Sequence, residues 1–329
     1  MGLSCKKRFY GNPKKLPAKV ISIGNLTLGG TGKTPAVIAV AQEAKERGLQ
    51  PCILTRGYKG KVKGPCFVQS PEHRSQITDN NYCTGIDAGD EPALMADILK
   101  DVPIVKCADR YRGGKYALNS KLLTPDSLFI LDDGFQHWKL HRDVDVLLID
   151  ATNPFGNERL FPEGILREPF SAMKRAHIVV ITKSDMAAEG VITAVTRRIK
   201  QHNDEAPIFT ACHKPAGLVT ASGESRSLDT LRNKGIYAFS GIANPAYFHG
   251  TLKSAGARIA KSMNFRDHYA YSHKDMDRIK SDAAGLDIIT TEKDLVKIRG
   301  LDVPENLSAL KIGFSIDNDF YDYLFGRIQ

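Results

Sequence analysis

Gly29-Gly30-Thr31-Gly32-Lys33-Thr34 is the segment of this chain best suited to chemistry, and the chemistry is the handling of phosphate. Glycines let consecutive backbone N–H groups curl around an anion, a lysine neutralises its terminal oxygens, and a threonine hydroxyl can reach a hard cation such as Mg²⁺. An apolar run at 20–23 precedes the segment and a helix signal at 35–47 follows it, which is the strand–loop–helix context a phosphate loop requires. Gly29, Gly30, Thr31, Gly32, Lys33 and Thr34 are therefore the expected nucleotide-binding residues, with Thr34 also a metal ligand.

A second signal fits the same site. The apolar run 128–131 leads directly into Asp132-Asp133-Gly134, so two carboxylates sit at the C-terminal end of a buried strand, where open α/β sheets bind ligands. One of them is expected to hold Mg²⁺, directly or through water. A plain Asp-Gly turn is the alternative. A third signal, Thr182-Lys183-Ser184-Asp185, is similar to the element by which GTPases recognise guanine, which makes a GTPase or another P-loop NTPase the competing function. A turn with Asp185 as a helix cap explains it as well. The phosphate loop has Thr27 rather than glycine six residues before Lys33, so it resembles the G-G-x-G-K-T variant of the SIMIBI class. Leu28 stands where many of that class carry a second lysine.

Positioning these residues calls for a particular scaffold. Short β-branched and leucine-rich runs at 20–23, 52–55, 128–131, 144–149 and 178–182 alternate with amphipathic stretches, as buried parallel strands covered by helices do. The helix at 35–47 gathers Val37, Val40, Ala41 and Ala44 on one face and stops at Gly48. The expected fold is α/β, a doubly wound, mostly parallel P-loop NTPase sheet with a second, smaller α/β lobe. The expected division is a nucleotide-binding domain with a basic N-terminal segment at 1–210, and a C-terminal lobe at 211–329 that closes over the active-site cleft.

Composition bounds the remainder. The 329 residues are 42% hydrophobic and 25% charged, an ordinary globular balance without low-complexity tracts. Six cysteines (Cys5, Cys52, Cys66, Cys83, Cys107 and Cys212) show no C-x-x-C pair or zinc spacing, which points to reduced thiols. No apolar run approaches the roughly 18 to 20 residues that span a bilayer. The net charge of +9, with Lys6, Lys7, Arg8, Lys14, Lys15 and Lys19 at the start, favours anionic partners. No nucleic-acid recognition motif accompanies it, and a nucleic-acid partner is not expected.

The ordered set from Ile21 to Pro35, then Thr55-Arg56-Gly57-Tyr58, Gly89-Asp90-Glu91-Pro92, Leu131-Asp132-Asp133-Gly134-Phe135-Gln136-His137 and Leu166-Arg167-Glu168-Pro169 resembles the tetraacyldisaccharide 4′-kinase, or lipid A 4′-kinase, family. Phe239-Ser240-Gly241-Ile242-Ala243-Asn244-Pro245, Phe265-Arg266-Asp267-His268 and Thr290-Thr291-Glu292-Lys293-Asp294 extend the resemblance over nearly the whole chain. It implies transfer of the ATP γ-phosphate, with Mg²⁺, to the 4′-hydroxyl of a lipid disaccharide 1-phosphate. It also implies a monomer held peripherally at the cytoplasmic face of the inner membrane, or free in the cytoplasm. Carried over from the family, Asp90 is the catalytic base and His268 its partner, with Lys33 completing the catalytic set. Arg56, Arg110 and Arg167 are candidate phosphate contacts because guanidinium forks match phosphate oxygens, and Gln136 and His137 are further candidates for nucleotide or substrate phosphate. Read without the family, Asp90 is a helix cap and His268 a loop histidine. The chain departs from the family in the short basic segment before Ile21, where a longer apolar one is usual, and in Tyr269, where a second histidine is frequent.

Overall fold

A computed structural model describes residues 12–58, 60–69 and 82–329, so Cys5, Lys6, Lys7 and Arg8 lie outside the described residues. The chain forms two compact units, Met1–Cys212 with Phe314–Gln329, and His213–Gly313.

The first unit is built on strands β1 (Lys19–Asn25), β2 (Pro51–Thr55), β3 (Cys66–Gln69), β4 (Tyr82–Thr84), β5 (Ile104–Lys106), β6 (Leu128–Asp132), β7 (Val144–Asp150), β8 (Ile178–Thr182) and the start of β9 (Ile208–Thr220). Their order across the sheet is β9-β8-β7-β1-β6-β2-β5-β3-β4. Every residue of β2, β6, β7 and β8 is buried, which is why these strands read as unbroken apolar runs. Neighbours are parallel except where β3 runs antiparallel to β5. β1 lies between β6 and β7, and the chain passes from β1 to β2 in one direction and from β6 to β7 in the other, so the connections reverse here, where open α/β sheets bind ligands at the C-terminal ends of their strands.

Helix α1 (Lys33–Glu46) follows β1, and then come α2 (Gly85–Ala88), α3 (Asp90–Ile98), α4 (Arg110–Asn119) and α5 (Val191–His202). α1 starts behind Gly32, whose φ of 83° is a left-handed conformation that suits glycine. Val37, Val40, Ala41 and Ala44 pack onto the sheet from one face of it, as their spacing predicts.

The second unit holds a sheet ordered β12-β11-β13-β14-β9, with β11 (Gly235–Ser240) parallel to β12 (Arg258–Asn264) and β13 (Asp287–Thr291), and β13 parallel to β14 (Leu307–Ile316). The two-residue β10 (Ser225–Arg226) pairs back onto β9. Its helices are α6 (Pro245–Ser254), α7 (His273–Ala283) and α8 (Glu292–Ile298). Ser272 caps α7 through a reciprocal capping box with Asp275.

Two features depart from the sequence expectation. The second unit does not run to the end of the chain: α9 (Asn318–Gly326) buries Phe320, Tyr321, Leu324 and Phe325 in the same core as Ile21, Val40 and Ile130 of the first unit. The apolar pattern of this helix names a buried face but not the core that receives it. The cysteines are not all free either. Cys66 and Cys83 form a disulfide, their Cα atoms 5.8 Å apart, because the parallel β3–β4 pairing brings together residues 17 apart in sequence. Cys52, Cys107 and Cys212 remain thiols.

Candidate active site

The register between β1 and β6 sets Asp132 opposite Ile23, so the Asp132-Asp133 pair emerges where the chain turns into the phosphate loop. Lys33 Nζ lies 3.5 Å from Asn25 Oδ1 and 3.7 Å from Asp133 Oδ1. The two aspartates face different surroundings. Asp133, in a left-handed conformation at φ 50°, receives both of its hydrogen bonds from Arg167 NH1, at 2.8 and 2.9 Å. Burial alone would raise its pKa, but the Lys33 and Arg167 charges outweigh burial and hold it below the usual carboxylate range.

Asp132 is the opposite case. Its Oδ2 accepts from the Thr55 hydroxyl at 2.9 Å, while Oδ1 is buried with no partner among the described residues. Burial, then the Glu91 and Asp133 charges, push its pKa up to about 7. A buried carboxylate oxygen facing other acids and left unsatisfied is the arrangement a cation relieves. With the Thr34 hydroxyl in the first turn of α1, Asp132 fits Mg²⁺, which takes few protein oxygens and completes its shell with phosphate and water. Among the described residues no three His, Cys, Asp or Glu side chains form a ready-made metal cage. Asp133, expected to share this role, is committed to Arg167 and Lys33.

The remaining expected residues fall around this pair. Gln136 donates to the Asn25 carbonyl at 2.9 Å and to Glu168 at 3.1 Å, and its oxygen accepts from Arg167 at 3.0 Å. Arg110 is buried, donating to the carbonyls of Ala108 and Asp132, with Nε unpartnered among the described residues. Arg56 is exposed, and its charge reaches Arg110. His137 is half-buried, and desolvation followed by the Arg110 charge lowers its pKa to about 4, so it is a neutral imidazole at physiological pH.

Asp90 is the first residue of α3 rather than its cap. Gly89 before it has φ 117°, and a Cβ there would lie 2.7 Å from the Tyr58 carbonyl. This close approach sets Asp90 and Glu91 beside the turn that carries Arg56 and Tyr58. His268 belongs to the second unit. Its own φ is 58°, its N–H donates to Asp267 at 3.0 Å and to the Gly241 carbonyl at 3.3 Å, and Nε2 lies 3.6 Å from Asp267 Oδ2.

The model of the tetraacyldisaccharide-1-P 4′-kinase family matches residues 3–329 of this chain. The chain belongs to that family. The tetraacyldisaccharide 4′-kinase of Halothermothrix orenii is 36% identical over 323 residues, spanning 92% of this chain and 81% of that protein. The one from Aquifex aeolicus is 37% identical over 306 residues, spanning 93% and 86%. The crystal structure of an "apo" form of LpxK from Aquifex aeolicus, in complex with ATP, matches with a TM-score of 0.75 at 33% identity over 99% of this chain and 95% of that one. Membership does not favour the GTPase alternative.

Four further residues of this 4′-kinase family member bear on the site, Asn25, Glu91 and Glu168 from within the quoted motifs and Arg175 from outside them. Asn25 meets Lys33 and orders the loop by donating to the Thr27 carbonyl at 2.8 Å. Glu91 raises Asp132 by its charge. Glu168 receives both Gln136 and Arg175, and Arg175 stacks its guanidinium over Phe135 at 4.4 Å. Glu168 stands inside the motif Leu166-Arg167-Glu168-Pro169, but neither its burial nor its pairing with Arg175 leaves a mark in the sequence.

Proposed function

We propose that this kinase transfers the γ-phosphate of ATP to the 4′-hydroxyl of a tetraacyldisaccharide 1-phosphate. The observation that carries the reading is the Lys33, Asp132 and Asp133 constellation at the ends of β1 and β6, in a chain whose family match spans residues 3–329. Lys33 and the loop N–H groups neutralise and orient the phosphates, which is most of what phosphoryl transfer demands. Mg²⁺, held by Thr34 and Asp132, supplies further neutralisation of the phosphate oxygens when bound.

Asp90 is the base. It takes the proton from the sugar 4′-hydroxyl as that oxygen attacks the γ-phosphorus and the bond to the β-phosphate oxygen breaks. We take His268 from the family resemblance as the partner of Asp90 in this role, orienting the carboxylate or passing the proton onward. Arg56, Arg110 and Arg167 contribute guanidinium N–H groups to phosphate oxygens, and Gln136 and His137 act as neutral contacts.

Because the acceptor is a lipid, we place the protein peripherally at the inner-membrane surface, and we take it to act as a monomer. No helix among the described residues is long and apolar enough to cross a membrane. The test is transfer of labelled γ-phosphate from ATP and Mg²⁺ to detergent-dispersed disaccharide 1-phosphate. Wild type is expected to label the lipid. Lys33→Ala is expected to abolish labelling, and Asp90→Ala to slow it by about 10² to 10⁴. Unchanged labelling by Asp90→Ala removes the base, and a wild type that hydrolyses GTP without labelling lipid removes the kinase.

A further inference from the structure

Thr182-Lys183-Ser184-Asp185 has no part in the reaction described so far. Its first two residues are nevertheless buried against the phosphate loop. β8 ends at Thr182, whose hydroxyl donates to the Thr31 carbonyl at 2.9 Å. Lys183 adopts a left-handed conformation at φ 55°, which is unfavourable for a residue with a side chain. Its Nζ donates to the Gly30 carbonyl at 2.8 Å and to the carboxylate of Asp150, with the two side chains only 4% and 10% exposed. Asp150 ends β7 and lies opposite Thr182 in the sheet register. Its other oxygen accepts from the Thr152 N–H at 2.9 Å and the Thr152 hydroxyl at 2.6 Å.

We propose that Thr182, Lys183 and Asp150 are positioning residues for the nucleotide, a brace that fixes the carbonyls of Gly30 and Thr31 on the far side of the phosphate loop. The inference rests on the loop being the ATP site. Because a trans peptide is planar, its C=O and N–H point opposite ways, so anchoring a carbonyl aims the N–H of the next residue. Anchoring the Thr31 carbonyl aims the Gly32 N–H inward. Anchoring the Gly30 carbonyl aims the Thr31 N–H, which here reaches the carbonyl of Gly29, two residues back, at 3.2 Å, a short-range bond that a phosphate oxygen can replace. A lysine suits the task because its charge serves two acceptors at once, and Asp150 keeps that charge compensated in a buried place. The residues that resemble a guanine-reading element thus bear on the loop backbone.

The test separates stability from nucleotide affinity in the full chain, using urea unfolding and titration with a fluorescent non-hydrolysable ATP analogue in Mg²⁺. Lys183→Met leaves the buried Asp150 uncompensated and lowers the unfolding midpoint. Adding Asp150→Asn removes that charge and restores the midpoint, yet the double variant stays about tenfold weaker for the ATP analogue because the Gly30 carbonyl has no donor. Thr182→Val, nearly isosteric and outside the ion pair, raises KM for ATP by about tenfold and leaves KM for the lipid acceptor unchanged. A double variant with restored stability and wild-type affinity overturns the brace. So does an unchanged KM for ATP in Thr182→Val. If the affinity pattern holds while no variant or wild type labels lipid, the brace stands and the acceptor assignment falls.

Discussion

Asp132 and Asp133 show how adjacent residues of one type receive different tasks from their neighbours. Arg167 grips both oxygens of Asp133 through one nitrogen, and its charge counters the cost of burying that carboxylate. Arg167→Lys keeps the charge but loses the planar geometry, and kcat/KM for ATP is expected to fall about tenfold or more in steady-state assays with saturating lipid. His137 yields a pH prediction. Its pKa falls from an ordinary 6.5 to about 4 on folding, so the neutral form is favoured in the native state. That stabilisation is complete above pH 6.5 and disappears as pH drops toward 4. His137→Gln is expected to flatten the acid loss of stability in this window, seen as a smaller change in urea midpoint between pH 7 and pH 5. Above pH 6 its pH–rate profile should keep the wild-type shape.

At the scale of elements, Gly89 sets the start of α3 and therefore the place of Asp90. Gly89→Ala forces a Cβ against the Tyr58 carbonyl at a φ that alanine avoids. Circular dichroism melts should show a cost of about 1 to 3 kcal/mol, with kcat falling while KM for ATP stays near wild type. At the start of α8, burial raises the Glu292 carboxyl from an ordinary 4.5 to about 7, although it accepts from the Ile312 N–H at 3.1 Å. The folded chain binds this proton more tightly, so the contribution is full below pH 4.5 and is lost as pH rises through 7. Glu292→Gln should therefore gain about 2 kcal/mol over wild type at pH 8 and almost nothing at pH 4.5, read by urea titration.

The strands that carry the phosphate loop, Asp132 and Thr182 were legible because both faces of each are covered, which leaves a continuous apolar run. The glycines and lysine of residues 29–34 stand out in the sequence by their chemistry, and the strand before them and the helix after them lie where the spacing predicts. Glu168 and Arg175 were not, since their pairing joins residues from a turn and a short helix that no periodicity links. The Cys66–Cys83 bond escaped for a similar reason: it depends on which strands lie side by side, not on spacing along the chain.

For the molecule as a whole, the first unit is closed by residues from the far end of the sequence. Leu324 is fully buried in its core, and Leu324→Ala is expected to cost about 3 kcal/mol in equilibrium unfolding. A fragment ending at residue 212 should fail to give a sharp transition, whereas a two-domain chain split at 210 would have given a folded fragment. The expectation of a C-terminal lobe running to 329 missed this because an amphipathic helix does not name its partner.

The insertion of His213–Gly313 between the two parts of the first unit also bears on how the protein is made. As the chain leaves the ribosome, the phosphate loop and its aspartates emerge early, but the α9 side chains that seal their core arrive only after the whole second unit has been synthesised. At ordinary elongation rates that interval is on the order of ten seconds. During it a large apolar face stays open, so a nascent chain of this kinase is a natural client for chaperones, and one stalled before residue 318 is a candidate for degradation rather than a partly active enzyme.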